Sequence, residues 1–445
     1  MLLTLIIFIV LLSLLIFVHE LGHYLTAIKF GVKVEEFGLG FPPRIFGWQI
    51  YRQKKIVPLI KTEEISVDIE MGDENRPVKE IITDEKKEIN VLETTKTWRW
   101  FWGNKSAANS GPVSVSQGES VSVRPDEPTV YSLNWIPLGG FVKIKGEDGG
   151  GSDNSDSFVN KSIGRRILIL AAGVIMNLLF CAGLLFIGFS VGLPASLSGN
   201  SGGGQIISQP KIQVMETVKD MPAEAAGVKA GDIIVSWDNQ EFKTIPEIQA
   251  YLASKKDQTV LVKINRGGSE INLPVAVKEY QDRVGIGVSL VETGIVRYPW
   301  HLALWQAIKT TGAWLMLMVM TLTLLIKNLI FGLPSGVELA GPVGIAVLTG
   351  DAVKLGWIYL LQFAAFLSLN LALINILPIP ALDGGRILFL IIEKIRGQAI
   401  KQKWENLVHN LGFILLMALI VLVTYRDILR YGGKIIGVFS RSVGL

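Results

Sequence analysis

The stretch His19-Glu20-Leu21-Gly22-His23 follows an apolar segment, residues 1–18, whose only polar side chains are Thr4 and Ser13. On a helix, two histidines four residues apart share one face and are separated by a rise of about 6 Å. That spacing lets both imidazoles bind one Zn²⁺, and the glutamate between them can take a proton from the attacking water. Ionisable side chains are costly in hydrocarbon and rarely occur there without a function. The motif therefore predicts a zinc site in a membrane helix rather than a chance pattern at the end of a membrane anchor.

Composition excludes several other classes of protein. The chain has 445 residues, of which 49% are hydrophobic, which is too apolar for one soluble domain. The single cysteine, Cys181, excludes a disulfide framework within the chain and a cysteine-rich zinc site, so a packing role is expected for it. The net charge of +4 is spread over several segments, so no nucleic-acid partner is expected. Because no Lys or Arg precedes Lys29, the first apolar run is interpreted as a retained transmembrane helix and not as a cleavable signal peptide.

Hydrophobic runs predict a polytopic α-helical membrane protein with about four transmembrane helices. An inserted PDZ-like α+β domain is predicted from the order of its elements, and a membrane-associated β-hairpin is implied by the family resemblance given below. The predicted crossings are residues 2–28, 167–193, 356–377 and 408–424. Residues 301–333 are apolar but contain Lys309 and Lys327, so they are expected to form a surface or half-inserted helix. The predicted divisions are 1–48 (first helix and hairpin), 49–130 (polar insertion), 131–204 (strands, linker and second helix), 205–291 (PDZ-like domain), 292–355 (non-crossing region) and 356–445 (third and fourth helices).

The PDZ-like domain is predicted from the order of its elements. A strand at residues 233–237, a helix at 245–252 and a strand at 260–264 are followed by the hairpin signal Gly267-Gly268. Residues 222–232 resemble the corresponding PDZ segment, with a helix that ends at Gly227. In the polar insertion, alternation at residues 64–70 and 113–116 favours short strands.

A third zinc ligand is needed, because two histidines leave a tetrahedral catalytic zinc one protein ligand short. His301 and His409 are candidates by residue type. Asp383 is the better candidate: Pro378 and Pro380 break the preceding helix, and the two glycines that follow the aspartate permit tight backbone turns. Irregular backbone at membrane depth is tolerated where it lines a site. The alternative is an ordinary loop aspartate at the membrane edge.

Asn177 is the single amide in the second predicted crossing. A hydrogen bond that serves packing explains it at least as well as a catalytic role.

Together these motifs resemble the bacterial site-2 proteases, intramembrane zinc metalloproteases, and in particular the type that cleaves anti-sigma factors. The matching pieces are residues 19–23, 136–143, 160–162, 171–173 with Asn177, 222–232, 341–344 and 375–385. The resemblance implies Zn²⁺ held by His19, His23 and Asp383, with Glu20 as catalytic acid and base. It implies substrate handling by Asn370 and Asn375, and a membrane-entering hairpin at residues 38–48 whose Gly38, Leu39 and Gly40 pair with an extended substrate.

The chain also departs from that family's pattern. It contains one PDZ-like domain where some relatives have two, and Val174 stands where the family often has proline. The insertion at residues 49–129 has no counterpart known to us. These departures concern the substrate and its gating rather than the chemistry.

Topology follows from the need for the zinc ligands to meet on one side. With the N-terminus outside, the first helix ends inside and the second returns outside, which places the PDZ-like domain outside and the insertion inside. A crossing by residues 301–333 would carry Asp383 to the wrong side. The basic residues Lys161, Arg165 and Arg166 fit the inner side. The expected location is the inner (plasma) membrane, with the zinc site toward the cytoplasm.

The predicted function is hydrolysis of a peptide bond within the transmembrane segment of a single-pass membrane protein, such as a pre-trimmed anti-sigma factor or a signal-peptide remnant. The expected partners are this substrate and the lipid bilayer, while the oligomeric state is undefined. A metal-free membrane chaperone and a zinc transporter are the alternatives. Intact Glu20 argues against the first, and the proline-rich Leu-Asp-Gly segment with the PDZ-like domain argues against the second.

Overall fold

The structure is a computed structural model that describes residues 2–59, 89–103, 128–147, 154–197, 203–218, 220–280, 283–333 and 340–443. The strands expected at residues 64–70 and 113–116 lie outside these ranges. The helices are α1 (Leu2–Lys29), α2 (Ile163–Val191), α3 (Pro222–Ala225), α4 (Ile245–Ser254), α5 (Trp300–Ile330), α6 (Pro342–Leu355), α7 (Trp357–Ile376), α8 (Asp383–Arg396) and α9 (Gln402–Val443). The strands are β1 (Val34–Leu59), β2 (Ile89–Trp102), β3 (Val130–Ile144), β4 (Leu193–Ser196), β5 (Gln205–Ile206), β6 (Lys211–Thr217), β7 (Ile233–Trp237), β8 (Thr259–Arg266), β9 (Ser269–Ala276), β10 (Lys278–Tyr280), β11 (Arg283–Gly285) and β12 (Val288–Arg297).

Five of the described helices are long and apolar enough to cross a membrane, namely α1, α2, α5, α7 and α9. Four of them correspond to the predicted crossings. The fifth, α5, is one continuous helix of 31 residues that includes Lys309 and Lys327. Length and composition therefore do not separate α5 from the others, and the count of four crossings stays a prediction.

Helix α2 lies at the centre of the bundle and packs against α1, α5, α7 and α8. Its fully buried Cys181 and Leu185 share a core with Ala365 and Leu369 of α7, so the expected packing role of the cysteine is confirmed. Helices α1 and α2 approach closely because Gly22 faces the backbone of Ala172. Small residues allow this kind of contact, on which helix association in a membrane depends.

A sheet of β2, β1 and β3 packs against α1 through β3 and β1. Each of β1 and β3 contributes two separate stretches to the sheet. Residues 36–39 of β1 pair with residues 140–143 and also with residues 130–133 of β3. Residues 46–49 of β1 pair with residues 130–133 as well. The first half of β3 thus lies between two stretches of β1, and β2 pairs with the outer stretch. Residues 38–48 are therefore a bend whose two arms are separated by β3, and not a simple hairpin. Two strands are expected in residues 131–143, and they are present as the two halves of β3. The halves do not pair with each other, because residues 36–39 lie between them.

The PDZ-like domain, called the soluble domain below, contains most of a sheet in the order β4-β12-β6-β7-β8-β9, with β5 paired to β12. Its core surrounds the fully buried Trp237, and α4 buries Ile248 and Leu252 against it. The predicted strand at residues 233–237 and the helix start at Ile245 are confirmed, and the turn between β8 and β9 has a positive φ at both glycines. Thr244 caps α4 by accepting a hydrogen bond from the backbone N–H of Glu247.

Candidate metal centre

Helix α1 presents His19 and His23 on one face, and both are about 5% exposed. His23 Nδ1 lies 2.8 Å from the carbonyl oxygen of Ile169 in α2. That oxygen can only accept a hydrogen bond, so Nδ1 carries the proton and Nε2 keeps its lone pair. The second nitrogen of His23 is therefore oriented and free to bind a metal.

Asp383 reaches the histidines because the chain turns sharply after α7. Within that turn, Ala381 has a φ of 77°, a conformation that is uncommon for a residue other than glycine. Its N–H donates to His409 Nδ1 over 2.9 Å. His409, considered above as a possible ligand, instead supports the strained turn two residues before Asp383.

The glycines after Asp383 act differently from the expectation. Gly384 and Gly385 begin α8, and neither is among the described glycines with positive φ. A Cβ on Gly384 would overlap the carbonyl groups of Ile376 and Leu377, and one on Gly385 would lie 2.9 Å from the carbonyl carbon of Ile379. Both positions need glycine because the preceding turn packs directly on them.

The three candidate ligand atoms converge on one point. His19 Nε2 lies 2.9 Å from Asp383 Oδ2, His23 Nε2 lies 3.3 Å from the same oxygen, and the two nitrogens are 3.2 Å apart. Two ligand atoms on a tetrahedral zinc are roughly 3.3 Å apart, given metal–ligand distances of about 2.0–2.2 Å. Among the described residues, these three form the group of His, Cys, Asp or Glu side chains that can hold a metal ion. The donor set and spacing fit Zn²⁺.

Gly173 of α2 forms one wall of this site. A Cβ at this position would lie 2.6 Å from His19 Cε1 and 2.8 Å from His19 Nε2. The missing side chain leaves room for both imidazoles to face the same point. In the sequence, Gly173 is prominent only as part of the matching piece at residues 171–173, because a one-dimensional pattern does not reveal what lies opposite a glycine.

Asn177 lies one turn after Gly173 on α2 and is fully buried beside His19. Its Nδ2 faces His19 Nδ1 over 3.2 Å, while its Oδ1 has no hydrogen-bond partner among the described residues. The oxygen and nitrogen of an amide are distinguished by their hydrogen bonds. With the amide turned over, Oδ1 accepts a hydrogen bond from the N–H at His19 Nδ1, which leaves His19 Nε2 free to bind a metal. Ser368 of α7 donates to the backbone carbonyl of Asn177 over 2.8 Å and ties this part of α2 to α7.

Glu20 lies between the two histidines in sequence, on the side of α1 that contacts the sheet. A Cβ on Gly140 would lie 3.9 Å from Glu20 Cγ and 3.7 Å from the Cα of Phe17. The second half of β3 thus passes directly beside the glutamate. The sequence alone gives no signal that Gly140 lies beside Glu20.

The two candidate asparagines of α7 have different surroundings. Asn375 Nδ2 lies 3.3 Å from His19 Nε2, at the edge of the metal centre. Asn370 donates to the carbonyl of Phe366 in its own helix, over 3.0 Å. The structure therefore brings Asn375, but not Asn370, to the histidines. His301 packs edge-on against Trp300 at the start of α5.

Residues 38–40 do not offer a free strand edge. Gly38 pairs with Phe141 and Ser132, and Leu39 pairs with Gly140 and Leu133. A Cβ on Gly40 would meet the carbonyl oxygen of Ile136. Pairing of an extended substrate with Gly38 and Leu39, as the resemblance implied, would require the strands on either side to leave. Residues 140–143 pair with one described stretch, residues 36–39, and so leave an open strand edge. The substrate role of Gly38, Leu39 and Gly40 stays a prediction.

Comparison with known proteins agrees with the geometry. The sequence profile described as "Peptidase family M50" matches residues 7–60 and 106–419. The chain is 28% identical to the "Zinc metalloprotease RasP" of Geobacillus kaustophilus, over 95% of this chain and 97% of that protein. It is also 28% identical to the "Regulator of sigma-W protease RasP" of Bacillus subtilis, over 96% and 98% of the two chains.

Among solved structures, the PDZ domain of an SdrC-like protein from Listeria monocytogenes is 30% identical, with a TM-score of 0.17. It covers 18% of this chain, and 85% of the Listeria chain is covered.

Two histidines and a carboxylate that converge beside a glutamate, on long apolar helices, define a membrane zinc metalloprotease. The chain belongs to Peptidase family M50, the site-2 protease family. It is an enzyme of the inner (plasma) membrane, and its cofactor is Zn²⁺.

Proposed function

We propose that this protein hydrolyses a peptide bond within the transmembrane segment of a single-pass membrane protein. The observation that carries the proposal is the depth of the metal centre: His19 and His23 lie in the last third of a 28-residue apolar helix. A peptide bond that reaches them must itself lie in or near the bilayer. The name of the Bacillus subtilis relative points to a substrate that regulates a sigma factor. We infer a pre-trimmed anti-sigma factor or a signal-peptide remnant as the substrate class.

The roles of the residues follow from their positions. His19, His23 and Asp383 hold Zn²⁺, which when bound polarises the scissile carbonyl and the attacking water. Glu20 takes the proton from the water and later passes it to the leaving amine. The backbone carbonyl of Ile169 orients His23, since it accepts a hydrogen bond from the nitrogen that faces away from the metal. Asn375 is close enough to His19 to contact a substrate carbonyl at the metal.

Substrate pairing is assigned to the second half of β3. A helical transmembrane segment hides its amides in its own hydrogen bonds, so the substrate must unwind before cleavage. An extended strand that pairs with residues 140–143 would satisfy the freed backbone groups. Gly140 supports this assignment because the strand passes beside Glu20 there.

The reaction is tested with the full-length protein in proteoliposomes that also contain a single-pass substrate. Mass spectrometry of the products identifies the bond that is cut. We expect cleavage inside the apolar segment by the wild type, and a loss of about 10²–10⁴-fold in rate for Glu20→Gln with zinc retained. Asp383→Ala should lose zinc, whereas Asp351→Ala, which alters a half-exposed acid far from the site, should not. Cleavage confined to soluble segments, or full activity of Glu20→Gln, would contradict the proposal.

Substrate pairing is tested by disulfide crosslinking in the Glu20→Gln background with Cys181→Ala. A cysteine in place of Val142 should crosslink to cysteines near the substrate's scissile bond, and a cysteine in place of Leu39 should not. Crosslinks from position 39 alone would assign the substrate to the bend in β1.

Two other functions predict different results for Glu20→Gln or for the zinc content of the purified protein. A zinc transporter would move zinc across the vesicle membrane with or without Glu20. A metal-free chaperone would be purified without zinc. The presence of Glu20 beside converged ligand atoms favours the protease.

We further propose that the soluble domain lies outside the cytoplasm and the metal centre toward it. In this arrangement the domain filters substrates by the size of their outer part, and α5 does not cross.

A further inference from the structure

An exposed row of tryptophans runs along β2. Trp98, Trp100 and Trp102 alternate with Arg99 and Phe101, so the three indoles share one face of the strand. They are 57%, 57% and 72% exposed. Together they form the tryptophan row, residues 98, 100 and 102. The family profile matches residues 7–60 and 106–419, so the row lies outside the matched part of the chain.

The row is ordered by contacts with its neighbours. Trp98 stacks on Trp100 with ring centres 6.3 Å apart, and Phe46 of β1 stacks on Trp100 at 5.1 Å. Trp48 lies between Trp100 and Tyr131 of β3, at 5.9 Å and 5.5 Å respectively. The row is therefore the outer end of one aromatic face that spans three neighbouring stretches of the sheet.

The same face of the sheet packs on the membrane helix α1. The hydroxyl of Tyr131 bonds that of Tyr24, and Phe37 stacks on Tyr24 with ring centres 4.7 Å apart. Past these contacts the face continues without cover from α1, and there it carries the tryptophan row. This face of the sheet lies beside a transmembrane helix and is turned toward it. Where α1 no longer covers the face, the face is therefore turned toward the bilayer around that helix.

The depth of the row follows from two points of contact with α1. Ser13 donates to the carbonyl of Pro137, and Tyr24 contacts Tyr131. From the Ser13–Pro137 contact to the Tyr24–Tyr131 contact, the distance is about 16 Å along α1 and about 20 Å along β3. The two distances are similar, so the strand runs along the helix. Trp100 lies opposite Trp48, which lies opposite Tyr131. Trp100 is therefore level with Tyr24.

Tyr24 lies about 13 Å from the middle of α1. The hydrocarbon core of a bilayer extends about 15 Å from its centre. With α1 centred in the bilayer, Trp100 is at the boundary between acyl chains and headgroups. Trp102 lies about 7 Å deeper and Trp98 about 7 Å shallower along the strand. Tryptophan is enriched at this boundary because its ring is apolar while its N–H needs a polar partner.

We propose that the tryptophan row binds the headgroup boundary of the bilayer that holds α1, and so fixes the depth of the sheet beside the metal centre. The substrate is not the occupant of this face, because the edge assigned to it, residues 140–143, is at the opposite side of the sheet from β2. The proposal rests on α1 crossing the membrane, not on the identity of the substrate. It gives the unmatched segment a role in positioning the sheet.

The test is nitroxide labelling of the full-length protein in lipid nanodiscs, in a Cys181→Ala background. Single cysteines replace Trp98, Arg99, Trp100 and Trp102, and collision rates with oxygen and with a water-soluble nickel chelate are compared. Two references bracket the scale: Leu14 in the middle of α1 and Ala253 on the exposed face of α4. We expect oxygen-to-nickel ratios at 98, 100 and 102 that lie between the references and rise from 98 to 102. Position 99 should break this trend, because it faces the other way.

A second measurement leaves the protein unlabelled and guards against damage by the labels. Tryptophan fluorescence of the wild type minus that of Trp98→Phe/Trp100→Phe/Trp102→Phe reports the row alone. We expect lipids brominated near the headgroup to quench this difference signal more than acrylamide does. Water-like ratios at all three positions, or a difference signal quenched by acrylamide only, would overturn the proposal. Strong spin–spin broadening at position 100 that disappears on dilution with unlabelled protein would instead assign the face to a second copy of the chain.

Discussion

At the scale of single residues, the metal centre depends on groups that do not touch the metal. His23 is oriented by a backbone carbonyl and His19 by the buried amide of Asn177. Groups that hold the second nitrogen of a liganding histidine set its tautomer and its orientation. From the sequence alone, the role of Asn177 is open between packing and catalysis. Its contact with His19 makes it a positioning residue.

This role predicts different outcomes for two substitutions of Asn177. Asn177→Leu removes the acceptor and should lower zinc affinity by about 10–100-fold. Asn177→Asp keeps an oxygen acceptor for His19 Nδ1 and should retain most of the affinity. Competition for zinc with a chelator measures both values without reference to activity. Equal losses in the two variants would mean that Asn177 serves packing only.

At the scale of elements, the contact between α1 and α2 decides whether the ligands can meet. Gly22 and Gly173 bring the two helix backbones together at the level of the histidines. The turn after α7 then packs on Gly384 and Gly385 and delivers Asp383 to the same point. Each of these contacts joins residues far apart in the chain.

Gly173→Ala is therefore expected to disturb the metal centre itself. The added methyl group would lie 2.6 Å from His19 Cε1, so an imidazole or the helix must move. Overpacking of this kind costs about 1–3 kcal/mol, and here it also displaces a ligand. Zinc content and thermal unfolding of the purified protein measure the two effects.

Gly183→Ala is the matched control, since it lies on the same helix with no atom within 4 Å of the added methyl group. It should keep its zinc and its stability. Full zinc content in Gly173→Ala would show that the wall of the site yields more easily than its contacts imply.

At the scale of the whole molecule, the helices contact one another at the two ends of α1, which lie on opposite sides of the predicted bilayer. Asn375 meets His19 near the end of α1, and His409 at the start of α9 holds the turn beside Asp383. At the other end of α1, Gly350 of α6 packs against Thr4. The chain enters α5 beside the end of α2, where Tyr298 donates its N–H to Phe189, and later reaches α6 on this same side. A segment whose two ends lie on one side of the membrane is expected not to cross it, and the count of four crossings stays a prediction.

The topology predicts which positions a membrane-impermeant maleimide can reach in intact cells. In a Cys181→Ala background, Ser254→Cys in the soluble domain should be labelled, and Gln398→Cys after α8 should react only after the cells are opened. Both residues are exposed. Labelling of both positions in intact cells would contradict the four-crossing arrangement.

The filter proposal predicts that the soluble domain can be removed without loss of chemistry. The second half of β12 pairs with β4 beside the end of α2, so a deletion should keep it and replace residues 209–291 with a short Gly/Ser linker. We expect a pre-shortened substrate to be cleaved at a normal rate and the full-length substrate to become cleavable. A time course of both substrates measures this. If cleavage of the short substrate is lost while zinc and fold are intact, the domain is needed for catalysis.

The sequence by itself determined the membrane helices, the order of elements in the soluble domain and the identity of the three candidate ligands. These follow from local rules: apolar length, strand alternation, turn residues, and the four-residue spacing of His19 and His23. Only the tertiary structure decided that Gly173 clears the site, that Asn375 rather than Asn370 meets His19, and that residues 140–143 form the strand edge beside Glu20. Those facts depend on which backbones approach one another across more than a hundred residues of chain, and no local pattern encodes that distance.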